Sequence, residues 1–81
     1  MIAIKMQRNE RKLQILQILV EHPLSVEEIA DAAGIDKHTA LVYVSRYQTQ
    51  GLVAKTGYMY ALTKRGRDRI VFLSDRMTTS R

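Results

Sequence analysis

The sequence predicts a mainly α-helical fold with one small β-hairpin, which places it in the α+β class. Helix-capping residues followed by apolar residues at helical spacing occur several times along the chain. Gly34 separates a short predicted helix from a longer one by only a tight turn. Two β-prone runs flank Thr56-Gly57, a pair typical of a hairpin turn. The predicted order is helix, helix, turn, helix, hairpin, helix.

The first helix is predicted over residues 9–21. Asn9 is a plausible N-cap, and the residues predicted to form its buried face are Leu13, Leu16, Leu19 and Val20. Pro23 ends this helix, because proline disfavours the α conformation in the residue before it.

The second and third helices are predicted from their caps. Ser25-Val26-Glu27-Glu28 forms a capping box that opens the second helix, and Gly34 ends it. Asp36 caps a third helix over residues 36–50, whose predicted buried residues are Ala40, Val44 and Tyr47. A short helix, a glycine turn and a longer helix have the spacing of a helix-turn-helix.

The hairpin is predicted over residues 52–62, with the turn at Thr56-Gly57. Thr63 then caps a last helix from Lys64 to about Met77, and residues 78–81 are predicted to fray. A chain of 81 residues is expected to form one domain over 1–81. Its core with the hairpin would span 9–62, and its last helix 63–77.

Charge is segregated along the chain. The 13 Lys and Arg against 8 Asp and Glu give a net charge of +5. Residues 21–36 contain five acids and no Lys or Arg, whereas residues 37–67 contain six Lys and Arg and no acid. An acid-free stretch favours binding to a polyanion. A basic face that is merely solvated remains the alternative.

Several function classes lack support in the sequence. There is no cysteine, and neither His22 nor His38 has a partner at ligand spacing, so we expect no metal and no cofactor. Ser25 is interpreted as a cap and not as a nucleophile, because no base is placed to activate it. We therefore expect no enzymatic activity. No segment resembles a membrane span or a secretory signal, and a cytoplasmic location is expected.

Four segments resemble parts of the winged helix-turn-helix fold of prokaryotic transcription regulators. Ser25-Val26-Glu27-Glu28-Ile29-Ala30 resembles the start of their second helix, and Gly34-Ile35-Asp36-Lys37-His38-Thr39-Ala40 the turn and the start of their recognition helix. Gly51-Leu52-Val53 resembles the junction of helix and wing. Tyr60-Ala61-Leu62-Thr63-Lys64-Arg65-Gly66-Arg67 resembles the end of the wing in the multiple-antibiotic-resistance repressor family. The resemblance covers about residues 11–70 and extends to small archaeal and viral winged-helix families.

This resemblance implies a transcription regulator that binds double-stranded DNA as a homodimer, associated with the nucleoid or, for a viral protein, with the host cytoplasm. Helix 36–50 would enter the major groove, and the wing 52–62 would lie along the backbone. Lys37 and His38 are suited to base edges, whereas Thr39 and Ser45 are suited to phosphates. The predicted DNA-binding residues are Lys37, His38, Thr39, Leu41, Val42, Ser45, Arg46, Lys55, Thr56, Tyr58, Lys64 and Arg65, with Arg67 as a further phosphate contact.

Leu41 and Val42 depart from the family, where many relatives have a Ser and an Arg. Apolar side chains in a groove can pack on thymine methyls, but they make no bidentate contact with a base. Three interpretations stay open: modest, AT-leaning specificity, a winged helix that binds another protein, and non-specific architectural DNA binding.

Apolar residues outside the predicted core face predict a dimer interface. They are Ile15 and Ile18 on the first helix and Ile70, Leu73 and Met77 on the last, with Ile2, Ile4 and Met6 as possible additions. The last helix either folds back over the first in its own chain or packs against a second copy, and the dimer is the favoured alternative. No binding site for a small molecule is evident from the sequence.

Overall fold

A computed structural model of the protein describes the backbone of residues 8–78 and the side chains of residues 10–75. Within this range the elements are α1 (Arg8–Ile18), β1 (Leu24–Ser25), α2 (Val26–Ala33), α3 (Lys37–Thr49), β2 (Val53–Thr56), β3 (Met59–Leu62) and α4 (Lys64–Thr78). The strands form one antiparallel sheet in the order β1-β3-β2. The predicted α+β fold is therefore confirmed.

The caps of α2 and α3 are those predicted. Ser25 Oγ accepts from Glu28 N at 3.2 Å, and Ser25 N donates to Glu28 Oε1 at 2.9 Å. Gly34 ends α2 with a φ of 72°, the left-handed conformation that glycine adopts without steric cost. The carboxylate of Asp36 accepts from Thr39 N at 3.2 Å at the start of α3. These contacts place a tight turn between the two helices.

The end of α1 lies before the predicted residue 21. Leu19 N donates to Leu16 O and Val20 N to Gln17 O, each at 3.1 Å. These bonds span three residues instead of four, so the chain leaves the α-helix in a tighter turn directly after Ile18. Val20 consequently remains 39% exposed, and its prediction as a core residue was wrong.

The buried face of α1 also differs from the prediction. Ile15, Leu16 and Leu19 are buried, whereas Leu13 is only half-buried. The reason is that α1 packs against both α2 and α4, so it must bury a wider stripe than one neighbour would require. The sequence pattern had assigned Ile15 to the face opposite the core, but Ile15 belongs to the core.

The sheet contains a strand that the sequence did not predict. β1 consists of Leu24 and Ser25 alone, which pair with Tyr60 and Met59 of β3. Two residues are too few to show the alternation by which a strand is recognised. Because Ser25 also caps α2, this pairing attaches the hairpin to the helix-turn-helix.

The hairpin turn lies one residue later than predicted. Thr56 pairs with Met59, so Gly57 and Tyr58 form the two-residue turn. Gly57 has a φ of 64°, and no non-glycine residue in the described range has a positive φ. Glycine at the first turn position with an ordinary φ at the second fits the type II′ turn that hairpins prefer.

The first turn of α4 approaches the backbone at the base of the hairpin. A Cβ on Gly66 would lie 2.2 Å from Leu52 O, so only glycine allows this separation. Thr63 N donates to Leu52 O at 3.0 Å, and Thr63 Oγ1 accepts from Gly66 N at 3.0 Å, which confirms Thr63 as the cap of α4. Gly66 therefore permits packing that outweighs its poor helix propensity.

The last helix packs against α1 in the same chain. Ile15 and Leu73 are buried, and Ile18 and Ile70 are half-buried against the core. This is the fold-back arrangement that the sequence left as an alternative, and in it Ile15 and Leu73 offer no surface to a second copy. Met77, and the N-terminal Ile2, Ile4 and Met6, lie outside the described side chains.

Replacing Gly66 by alanine is expected to destabilise the fold by about 1–3 kcal/mol, because the new methyl group would overlap Leu52 O and force α4 away from the hairpin. In an ordinary helix the same change stabilises by about 1 kcal/mol. Urea unfolding followed by circular dichroism measures the free energy of unfolding. Arg67→Ala, an exposed change one residue away, serves as the control and should stay within about 0.5 kcal/mol. A more stable G66A variant would contradict the close packing.

Candidate nucleic-acid interface

The outward face of α3 is the first part of the candidate site. Ala40, Val44 and Tyr47 are buried, so the opposite side of the helix is exposed to solvent. The exposed residues on that side, at helical spacing, are His38, Leu41, Val42 and Ser45. The structure thus exposes four of the residues that the sequence predicted to contact DNA from this helix.

Lys37 precedes this stripe and forms an ion pair with α2. Its Nζ lies 2.9 Å from Glu27 Oε2, with the two side chains 60% and 62% exposed. The hydrogen bond and the charge of Lys37 lower the pKa of the Glu27 carboxyl below its ordinary value. The sequence did not predict this pair, because its partners lie on different helices. The acid-free stretch that begins at Lys37 therefore has a carboxylate beside it in space.

Thr39 has a different environment from the one predicted. Its hydroxyl donates to Asp36 Oδ1, and its backbone N donates to Oδ2 of the same carboxylate. These two bonds hold the pKa of Asp36 below its ordinary value. To donate to a phosphate, the Thr39 hydroxyl would have to give up its bond to Asp36 Oδ1.

The hairpin presents a second group of predicted residues. Lys55 and Thr56 are exposed on β2, and Tyr58 in the turn is 76% exposed. Tyr60 is buried, and its ring centroid lies 5.9 Å from Lys55 Nζ. The hairpin therefore presents the ammonium of Lys55 and the ring of Tyr58 to solvent.

Lys64 and Arg65 lie on the first turn of α4, where both are exposed. Lys64 Nζ is 3.9 Å from Asp68 Oδ2, and an exposed pair of this kind contributes little binding energy. Arg65 Nη1 would lie 3.3 Å from a Cβ on Gly51, the residue between α3 and the hairpin. Arg65 is thus placed at the junction of the two predicted DNA-binding elements.

Arg46 faces a hollow between α1 and α3 instead of the stripe on α3. This hollow has a volume of about 330 Å³ and is lined by Lys12, Tyr43, Arg46, Tyr47 and Gln50. Lys12 Nζ donates to Gln50 Oε1 at 3.1 Å and lies 5.5 Å from the centroid of the Tyr47 ring, which stacks on Tyr43. Burial raises the pKa of Tyr47 to about 12. The sequence did not single out Lys12, because only the fold brings it beside Tyr47 and Gln50.

The described side chains, residues 10–75, contain no cluster of three His, Asp or Glu that could hold a metal ion. In the same part of the chain, no helix has both the length and the apolar character needed to cross a membrane.

Three solved structures are similar to this chain over most of its length. Transcriptional regulator Tm0710 from Thermotoga maritima is 27% identical with a TM-score of 0.71, over 82% of this chain and 51% of its own. RV1404 from Mycobacterium tuberculosis is 25% identical with a TM-score of 0.72, over 85% of this chain and 52% of its own. Wild-type ZitR from Lactococcus lactis is 16% identical with a TM-score of 0.72, over 96% of this chain and 55% of its own.

These structures confirm the predicted resemblance to winged helix-turn-helix regulators of the multiple-antibiotic-resistance repressor type. ZitR, at its lower identity, supports the fold alone. This chain spans about half the length of each of the three proteins. No protein-family model and no curated protein matches the sequence.

Removing the ammonium of Lys37 should raise the pKa of Glu27 towards its ordinary value, because both of the largest causes of its lowering are removed. Lys37→Met makes this change, and side-chain carboxyl NMR signals followed against pH measure it. A lowered pKa means that the pair stabilises the fold above the unfolded-state pKa and loses that effect as pH falls through the folded-state pKa.

Asp36 is the internal control for this titration. Its lowered pKa comes from Thr39 and not from Lys37, so it should not change in K37M. An unchanged Glu27 titration in K37M would show that the ion pair does not persist in solution.

Proposed function

We propose that this chain is a sequence-specific transcription regulator that binds double-stranded DNA as a homodimer and catalyses no reaction. The observation that supports this most is the location of the acid-free stretch 37–67, which folds into α3, the hairpin and the start of α4. In a winged helix these are the elements that meet the duplex. We place it in the cytoplasm in association with the nucleoid or, for a viral protein, in the host cytoplasm.

In this proposal α3 enters the major groove, and its stripe of His38, Leu41, Val42 and Ser45 faces the base edges. The wing contacts phosphates through Lys55, Thr56 and Tyr58. Lys64 and Arg65, at the start of α4, neutralise further phosphates beside the wing. The affinity for DNA then comes mainly from cations on the wing and α4. The choice of base sequence comes from α3.

Lys37 has two competing partners in this arrangement. In the free protein its ammonium is paired with Glu27 at 2.9 Å. An exposed pair of this kind is weak and is screened by salt, so a phosphate or a guanine can displace the carboxylate. Glu27 then lowers the net contribution of Lys37 to binding without preventing it.

The homodimer is proposed to use the exposed side of α4. Val71 and Phe72 are 62% and 52% exposed, and Arg69 Cζ lies 5.8 Å from the centroid of the Phe72 ring. Adjacent exposed apolar side chains on one helix favour burial against an identical helix across a two-fold axis. Ile15 and Leu73, which the sequence predicted for this interface, are buried within their own chain.

A second candidate function is a winged helix that binds another protein through α3. The exposed Leu41 and Val42 favour it, because apolar side chains at the centre of a recognition helix suit a protein surface. Binding to a partner protein that is lost in Leu41→Glu but kept when Lys37 and Arg46 are neutralised would support this candidate over DNA binding.

Fluorescence anisotropy with duplexes selected from a random pool tests the main proposal. Affinity should fall steeply with salt concentration, because phosphate contacts release counterions. Lys55→Ala should weaken binding to all duplexes alike and reduce the salt slope by about 1, whereas Lys37→Ala should change the sequence preference. No binding at low salt would refute the proposal. Equal affinity for random and selected duplexes would leave only architectural binding.

Light scattering after size exclusion tests the dimer. The wild-type chain should elute with twice the mass of one chain, and Phe72→Glu should elute as a monomer because a charge would be buried at the interface. Val20→Glu, a similar change at an exposed apolar residue outside α4, is the control and should remain dimeric. A wild-type monomer at all concentrations would refute the homodimer.

A further inference from the structure

The chemistry of the exposed stripe on α3 is unusual for a helix that reads bases. Leu41 and Val42 form its centre and are 41% and 38% exposed. His38 and Ser45 lie one turn before and after them on the same face. The stripe therefore has an apolar centre with one polar side chain at each end.

Bidentate recognition of bases has little support on this face. Arg, Asn and Gln, the residues best suited to bidentate contacts with guanine and adenine, do not occur in residues 38–45. Lys37 is paired with Glu27, and the hydroxyl of Thr39 donates to Asp36. The groups that remain at the centre of the stripe are the two aliphatic side chains.

Only one feature of the major groove fits an aliphatic side chain. Each base pair presents donors and acceptors there, and thymine alone among the unmodified bases adds an apolar group, its C5 methyl. Leu41 and Val42 are adjacent residues whose side chains project from neighbouring positions of the same turn. They can therefore meet methyl groups of neighbouring base pairs.

From these observations we infer that Leu41 and Val42 read the C5 methyl groups of pyrimidines in the major groove, as one specificity element of the DNA site. This inference rests on the proposed function. DNA is chosen over an apolar protein partner because of charge complementarity. The hairpin and the first turn of α4, which follow the stripe, carry the exposed cations Lys55, Lys64 and Arg65, and residues 37–67 contain no acid.

Replacing thymine by uracil isolates this contact. Uracil keeps every hydrogen-bonding group of thymine and lacks only the methyl, so the base pair and the phosphates are unchanged. A duplex selected by the wild-type protein from a random pool is resynthesised with uracil at each thymine in turn, and affinity is measured by anisotropy at fixed salt. We expect one or two positions at which affinity falls about fourfold, the effect of one methyl-sized apolar group.

Two variants assign the contact to its side chains. Leu41→Ala and Val42→Ala should each bind the thymine duplex less tightly and lose the difference between thymine and uracil at one position. Val20→Ala is the matched control, because Val20 is 39% exposed, close to the exposure of Val42, and lies outside α3. The Val20→Ala variant should show the same difference in affinity between thymine and uracil duplexes as the wild type. All three residues are exposed, so the variants are expected to fold.

A further pair of duplexes tests the methyl independently of thymine. At a sensitive position, a pair of cytosine with guanine is compared with the same pair carrying 5-methylcytosine. The methylated duplex should bind about fourfold more tightly, because the C5 methyl then occupies the same part of the groove.

The outcomes separate this inference from the proposed function. Equal affinity for thymine and uracil duplexes refutes methyl readout while leaving DNA binding in place. Discrimination that persists in both L41A and V42A also refutes the inference, because the methyl is then read by another residue. Binding to no duplex at low salt refutes the proposed function itself.

Discussion

The close approach of α4 to Leu52 is the constraint on which the rest of the structure depends. Leu52 N donates to Tyr47 O at 2.8 Å, while Leu52 O accepts from Thr63 N and lies 2.9 Å from Thr63 Oγ1. One residue thus connects the end of α3, the base of the hairpin and the cap of α4. Gly66 makes this possible, because any side chain would collide with Leu52 O. This junction fixes the base of the hairpin relative to α3.

The hairpin is fixed at a second point by β1. Ser25 pairs with Met59 in the sheet and also caps α2 through its side chain. The hairpin is therefore joined to α3 and α4 at its base and to α2 along its free edge. In a small domain with a thin core, such backbone bonds hold surface elements in place where apolar packing alone is limited. This rigidity favours binding, because elements already in position need less ordering when they meet a partner.

For α2, α3 and α4, the sequence predicted the features that depend on neighbours along the chain. The same reasoning was wrong at both ends of α1, which begins before Asn9 and ends well before Pro23. The capping box at Ser25, the left-handed Gly34 and the caps Asp36 and Thr63 involve contacts three or four residues apart, and all are confirmed. Contacts between segments far apart in the sequence could not be predicted from local patterns. The strand at Leu24 exists only because β3 pairs with it, and Ile15 is buried because α1 packs against both α2 and α4. The turn shifted by one residue for a similar reason, since the register is set by strand pairing.

In the candidate site, too, the sequence predicted local features and missed contacts between separate helices. Exposure of Leu41 and Val42 followed from the buried spacing of α3, whereas the pairing of Lys37 with Glu27 depends on the crossing of two helices. This pair alters the interpretation of the basic stretch, because a carboxylate of α2 competes with DNA for its first cation. With Lys37 held by Glu27 and no Arg, Asn or Gln in residues 38–45, the polar contacts of α3 are few. Recognition by the proposed regulator then depends on apolar fit at α3, while the wing and α4 provide a salt-dependent attraction that is the same for every sequence.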